Sequence, residues 1–310
     1  MWTVTSTWAR VALAQPILTG LALHHLGALI AELVDPWSAQ QDSRLRQRRG
    51  HGRKRAAGAG PGHTLMFTDR VIATLVILRF QLPHAALAAL YGADRSTVTR
   101  AVHEIRPLLA ARGCAAPEAP GVRLHTLADV FAYAAAHGGH LRVDGTEVQV
   151  RRPRAKRPER RAFVSGKKKQ NTGKATAVSD EKGRLLFFGA FRPGRMHDAT
   201  MLRTEGVDDL LRQYPGVGVE ADSGYQGLVR DYPGQVSGPP KKPGKDASEE
   251  EVQRWQDQRK AQSSGRICVE HAIAEPKQWR SLQRYTGRRE HFPETAAAIA
   301  GLVSDRCVQR

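Results

Sequence analysis

Leu141-Arg142-Val143-Asp144-Gly145-Thr146-Glu147-Val148-Gln149-Val150 decides the fold. Apolar and polar residues alternate along it, and its valines and threonine favour a pleated strand. The stretch follows Gly138 and Gly139, which end an alanine-rich helix expected over Leu127 to His137. Beyond it, Lys174 to Ser179 and Arg184 to Phe191 flank an Asp-Glu-Lys-Gly turn and predict two more strands; Val217 to Ala221 predicts a fourth. Helices return near Ser248, where Ser248 and Glu251 have the spacing of a capping box. Glu249 to Glu251 suit the positive end of that helix's dipole, and Arg259 and Lys260 the other end. Residues 116–310 therefore read as one α/β domain.

Upstream, the period changes from two to three and four. Thr68 is a suitable N-cap for a helix carrying Val71, Ile72, Leu75 and Leu78, and a short helix follows over Pro83 to Leu90. Tyr91-Gly92-Ala93 makes a turn into a third helix, about Asp94 to Leu109. Short helix, glycine turn and longer helix over 63–115 is the helix-turn-helix order, with Arg95, Ser96, Thr97, Thr99 and Arg100 facing DNA phosphates and base edges. An ordinary three-helix bundle with a polar surface fits the same pattern. Residues 39–62 carry Arg44, Arg46, Arg48, Arg49, Arg53, Lys54 and Arg55 with only Asp42 as counter-charge, and read as a basic linker, a solvated tether or a DNA-contacting arm. Residues 1–38 read as a helical segment with Leu23, Leu26, Ile30 and Leu33 on one stripe, stopped by Asp35 and Pro36.

The formal net charge of +18 points to a polyanionic partner, nucleic acid before membrane. A membrane span needs about 20 mostly apolar residues. The stretch from Val11 to Val34 is broken by Pro16, Gly20, His24, His25 and Glu32, and it lacks the basic start of a signal peptide. Cys114, Cys268 and Cys307 are odd in number and far apart, which argues against a disulfide framework and a zinc site. A reducing cytoplasm, close to the nucleoid, is the expected location.

Acids stand where a sheet presents functional groups. Asp144 lies in the quoted strand, and alternation turns Asp144 and Glu147 to opposite faces. Asp222 follows a short strand, at Ser223-Gly224-Tyr225, and Glu270 falls in a helical stretch. On spacing alone any one of them reads first as a surface charge, since spacing does not show that they meet.

The four runs Leu141 to Glu147, Arg192-Pro-Gly-Arg-Met-His-Asp-Ala-Thr, Glu220-Ala-Asp-Ser-Gly-Tyr-Gln-Gly-Leu and Arg266-Ile-Cys-Val-Glu-His-Ala-Ile-Ala, in this order, resemble the insertion-sequence transposases of the DDE superfamily, Harbinger-like branch. The resemblance extends from near Thr68 almost to the C-terminus. It implies a ribonuclease H-like catalytic domain, a mixed sheet flanked by helices, preceded by a small all-α helix-turn-helix domain. It also implies a triad of Asp144, Asp222 and Glu270 as ligands of two Mg2+ or Mn2+ ions. The implied substrate is double-stranded DNA, as terminal inverted repeats and as target, cut and then joined by a homodimer or larger synapse. His197 and Asp198 match the family's His-Asp pair; Asp198 is a candidate to ligate or support the metal, or else to brace a loop. A repurposed DNA-binding regulator without catalysis is the competing reading.

Ten basic residues, Arg151, Arg152, Arg154, Lys156, Arg157, Arg160, Arg161, Lys167, Lys168 and Lys169, stand against Glu159 directly after the first strand. So dense a cluster repels itself unless phosphates neutralise it, which favours DNA contact over a solvated loop. Pro276, six residues after Glu270, predicts a kink or stop in the last long helix, and Trp279 beyond it is expected in a core.

Overall fold

The computed structural model describes residues 6–52, 62–153, 158–244 and 246–308, and the chain divides into two compact units. The first takes residues 1–111 with Trp279–Ser281, the second 112–278 with 282–310.

The first unit is helical: α1 (Ser6–Leu13), a single turn at Pro16–Thr19, α2 (Leu23–Arg49), α3 (Phe67–Phe80), α4 (His84–Tyr91) and α5 (Arg95–Ala110). Val71, Ile72, Leu75, Val76 and Leu78 bury α3 nearly all round, as its almost continuous apolar sequence requires. Its cap lies two residues earlier than the expected Thr68: Met66 N donates to the Asp69 carboxylate at 3.0 Å. Asp69 is fully buried and also takes both ends of the Arg10 guanidinium, at 2.6 and 2.9 Å. That fork clips α1 onto α3. Asp69→Ala strands Arg10 and uncaps α3; it is expected to cost about 3 kcal/mol, read as a fall in the denaturation midpoint.

Helix α2 does not stop at Pro36 but runs on to Arg49, so residues 39–49, assigned from composition to a linker, are helical. Proline forfeits one hydrogen bond there, and contacts beyond it hold the helix in register. Trp37 stacks against Phe67 at 5.0 Å and donates to Glu104 at 3.3 Å, while Arg44 pairs with Glu104 at 3.7 Å. The buried stripe is Leu26, Leu29 and Leu33; Leu23 is exposed. Arg46, Arg48 and Arg49 fall in the last turn, where the dipole favours cations, and Gly50 closes it at φ +74°. Trp279 is fully buried in this unit, under the Arg79 guanidinium at 5.4 Å. The residues from 53 to 61, with Arg53, Lys54 and Arg55, lie outside the described ones.

The second unit is built on a mixed sheet. After α6 (Leu127–Ala136), whose cap Thr126 accepts from Asp129 N, come β1 (His140–Val150), β2 (Thr172–Ser179) and β3 (Leu185–Phe188), an antiparallel meander. Helices α7 (Asp198–Arg203) and α8 (Val207–Gln213) then carry the chain to β4 (Gly218–Ala221), which pairs parallel to the other side of β1. Helix α9 (Gln226–Asp231) leads to β5 (Val236–Ser237), parallel to β4, and α10 (Glu249–Lys277) and α11 (Phe292–Val308) complete the unit. The order β3-β2-β1-β4-β5, with helices flanking it, is the ribonuclease H-like mixed sheet that the resemblance implies. Leu141 and Val143 of β1 join Val178, Leu186, Val219, Ala221, Ala199, Leu202 and Tyr225 in one apolar core. Helix α10 begins at the Ser248–Glu251 capping box and ends one residue after Pro276, so the proline falls in the final turn, where it marks the stop.

Candidate functional site

The pairing of β1 with β4 places the first two acids. Val143 stands opposite Ala221, and Asp222, still extended at φ −83°, continues that register beside Asp144. Adjacent strands lie about 4.8 Å apart, so the two carboxylates are neighbours across the sheet. Both are held in the same way: Gly145 N donates to Asp144 Oδ1 at 2.7 Å, and Gly224 N donates to Asp222 Oδ1 at 2.7 Å.

A third carboxylate, Asp198, comes up against the two glycines, though the three acids are not close enough to share one metal ion. Asp198 opens α7 after His197, which is exposed and makes no side-chain cap bond. A Cβ on Gly145 would stand 2.8 Å from Asp198 Oδ1, and one on Gly224 would stand 2.9 Å from both Asp198 Oδ2 and Asp222 Oδ1. Neither glycine has a positive φ, so a side chain there would be opposed not by backbone conformation but by the carboxylates it would have to push aside, Asp198 at both positions and Asp222 at 224. Lys174 on β2 neutralises this acid, Nζ to Oδ1 at 2.9 Å, and also reaches Glu147 at 3.4 Å. The buried Tyr225 hydroxyl has no hydrogen-bond partner among the described residues and faces the same group; burial, with Asp198, Asp144 and Asp222 nearby, pushes its pKa well above the ordinary value.

Glu147, turned to the opposite face from Asp144 by alternation, is structural: it accepts from Ser165 Oγ and Thr172 Oγ1, each at 3.2 Å. Through Ser165 it anchors a tight turn whose exposed tip is Lys167, Lys168 and Lys169. Lys169 takes φ +54°, a left-handed conformation that costs a non-glycine residue about 1 kcal/mol. Arg151, Arg152 and Arg161 are exposed and Arg160 is half-buried; Arg154, Lys156 and Arg157 lie outside the described residues.

Glu270 is exposed on α10, which packs against β1 and β2. Among the described residues no three His, Cys, Asp or Glu side chains stand close enough together to hold a metal ion, so Glu270 is not drawn in beside the aspartates. Seven residues on, Lys277 is half-buried; burial lowers its pKa, with Lys168 adding to the effect and Asp144 and Glu147 opposing it. Glu270 and Lys277 share one helix face, two turns and roughly 10 Å apart. Sequence reasoning missed Lys277, although that i, i+7 spacing was there to be read. It missed the glycine seat of Asp198 as well, because only strand pairing brings Gly145, Gly224 and Lys174 to one point.

Beside this group, burial pushes the Glu205 carboxyl up to about 7, against the pull of the Ala190 N–H, which it accepts at 3.0 Å. An acid whose folded pKa is raised adds stability that is complete below about pH 4.5 and is lost as pH rises through about 7. Glu205→Gln is expected to flatten this fall of about 1–2 kcal/mol, measured by denaturant titration between pH 5 and 8.

In the helical unit, α4, Gly92 at φ +61° and α5 from its cap Asp94 form the helix-turn-helix. Arg95, Ser96 and Arg100 are exposed at the start of α5 and Thr97 is half-buried. Thr99 is engaged internally, donating to Arg95 O at 3.0 Å and lying 2.8 Å from His84 Nδ1, so it braces α4 against α5.

A helix-turn-helix with a separate α/β unit bearing neighbouring carboxylates sets the class in which the chain is to be sought. The chain belongs to the DDE superfamily of endonucleases: residues 143–304, more than half of its length, match the family model of that description. Residues 63–115 match the model described as the helix-turn-helix of a DDE superfamily endonuclease, and this element supports DNA binding. A probable transposase for insertion sequence element IS702 from Microchaete diplosiphon is 30% identical over 165 residues, 52% of this chain; the match spans about half, 54%, of that relative's length. Crystal structures of a pre-cleavage Mos1 transpososome and of the Mos1 strand transfer complex are each 10% identical. They cover 87% and 91% of this chain, and 98% and 97% of their own, at a TM-score of 0.20, too slight a likeness to argue from. The family is one of nuclease-type enzymes that work with divalent metal ions. No helix among the described residues is long and apolar enough to cross a membrane.

Proposed function

We propose that this chain is an insertion-sequence transposase of the Harbinger-like branch, which cuts DNA strands at its element's ends and joins the freed 3′-hydroxyls to target DNA. The reading is supported by Asp144 on β1 and Asp222 just past the end of β4, which pairs parallel to β1 with Val143 opposite Ala221. Hard carboxylate oxygens, one or two per ion with water and phosphate completing the shell, suit Mg2+ or Mn2+, and the residues present fit that group. Asp144 and Asp222 would hold it; Glu270, which stands apart from them here, would complete a two-ion site only by being drawn toward them. When bound, the ions supply charge that stabilises the attacking and leaving oxygens.

The chain's own residues do the rest by placement. Glycine N–H bonds orient Asp144 and Asp222 before any ligand arrives, so little reorganisation remains. Lys277 and the Lys167–Lys169 tip add positive charge toward phosphate, while Arg95, Ser96, Thr97 and Arg100 place α5 in the major groove. Two ends must be handled together, so the active form is a homodimer or larger.

The test is purified protein with Mg2+ and a fragment ending in the inverted repeats that flank its coding sequence. Nicks confined to those ends, followed by joining into a second duplex, are expected. Binding without metal-dependent cleavage would make the chain a regulator, and cleavage indifferent to the ends would make it a simple nuclease. The same binding is expected to weaken steeply between about 50 and 200 mM salt, because each phosphate contact releases counterions.

A further inference from the structure

The His-Asp pair has no chemical step assigned to it, yet Asp198 is held between Lys174 and two glycines. One of its oxygens stands 2.8 Å from where a Cβ of residue 145 would lie, and the N–H of Gly145 holds Asp144; the other stands 2.9 Å from where a Cβ of residue 224 would lie, and the N–H of Gly224 holds Asp222. A single carboxylate thus occupies the side-chain space of both glycines whose N–H groups orient the two aspartates. Lys174, fixed in turn by Glu147, locks it in place from β2. Resting on the reading of Asp144 and Asp222 as metal ligands, we infer that Asp198 is a positioning residue: a wedge between β1 and the turn after β4 that sets the separation of the Asp144 and Asp222 carboxylates.

The arrangement accounts for a feature of the sequence that strand propensity does not. Glycine inside a strand is unfavourable, and a side chain at 145 would ordinarily be tolerated at its backbone angles. Both glycines are instead the floor on which one carboxylate rests. The loss of Asp198 leaves Lys174 still facing Glu147, so the variant is expected to fold.

The experiment measures Mn2+ binding by electron paramagnetic resonance on the DNA-free protein, alongside cleavage of an element-end duplex. It compares wild type with Asp198→Asn, Asp198→Ala, Gly145→Ala and the double variant that combines Asp198→Ala with Gly145→Ala. A positioning role predicts an unchanged number of bound ions, half-saturation raised roughly tenfold or more as for other residues that orient metal ligands, and unchanged DNA affinity. It also predicts that the double variant is no worse than Asp198→Ala alone, because the added methyl then has no carboxylate to displace. Loss of one bound ion in Asp198→Ala would make Asp198 a ligand and overturn the inference, as would unchanged half-saturation in both Asp198 variants. A wild-type protein that neither binds Mn2+ nor cleaves would instead overturn the proposed function, which keeps the two failures distinct.

Discussion

Asp222→Ala is expected to slow DNA strand cleavage by about 10³-fold or more while DNA affinity and melting temperature stay near those of wild type. Asp222 sits just past the end of β4, only half-buried, and accepts from Gly224 N, its one bond among the described residues, so the core loses little when it is truncated. Its contribution on this account is wholly to ligand geometry. On the same account DNA affinity is carried by α5 and the basic segments, which the substitution leaves untouched. Single-turnover cleavage of a pre-nicked element end, read beside a binding isotherm, separates the two. Equal losses in both would mean that Asp222 serves DNA binding instead, and an unaffected rate would remove it from the site.

Gly224→Ala is the second large effect, and it comes from one added methyl group. That carbon would stand 2.9 Å from Asp222 Oδ1 and from Asp198 Oδ2, closer than carbon and oxygen approach. The atoms in the way belong to side-chain ends rather than to backbone, so both carboxylates swing aside at small cost to stability. Displacing a ligand by about 1 Å can cost 10²-fold in rate. Cleavage is therefore expected to fall about a hundredfold with a near-normal denaturation midpoint. Loss of folding, or full activity, would each show that the glycine seat is not what orients Asp222.

How far the sequence discloses this arrangement differs from element to element. Alternation from Leu141 to Val150 reveals β1, and the Ser248–Glu251 spacing reveals the start of α10, because both signals are local. The α4–Gly92–α5 turn is legible for the same reason. Helix α2 is not: Asp35-Pro36 is a valid local stop signal, overridden by Trp37 and Arg44 contacts with Glu104, far along the sequence. The Asp144–Asp222 neighbourhood lies between these cases. Each acid can be seen at a strand, but their meeting depends on β1 lying between β2 and β4, a pairing that no local pattern encodes. Asp198, Lys174 and the two glycines are further removed still. Lys174 reads as a polar position on a strand and Gly145 as a weak spot in one, until β1–β2 and β1–β4 pairing brings them against the first residue of α7.

Ligand substitution with a change of metal tests the central claim most directly. Cysteine at position 144 or 222 keeps an anionic donor but makes it soft, so it binds Mg2+ poorly and accepts Mn2+ or Cd2+. Asp144→Cys and Asp222→Cys, assayed on an element-end duplex, are predicted to be inactive in Mg2+ and to regain strand cleavage when Mn2+ or Cd2+ replaces it. Wild-type cleavage in Mg2+ by either variant would contradict the assignment of that aspartate to the metal.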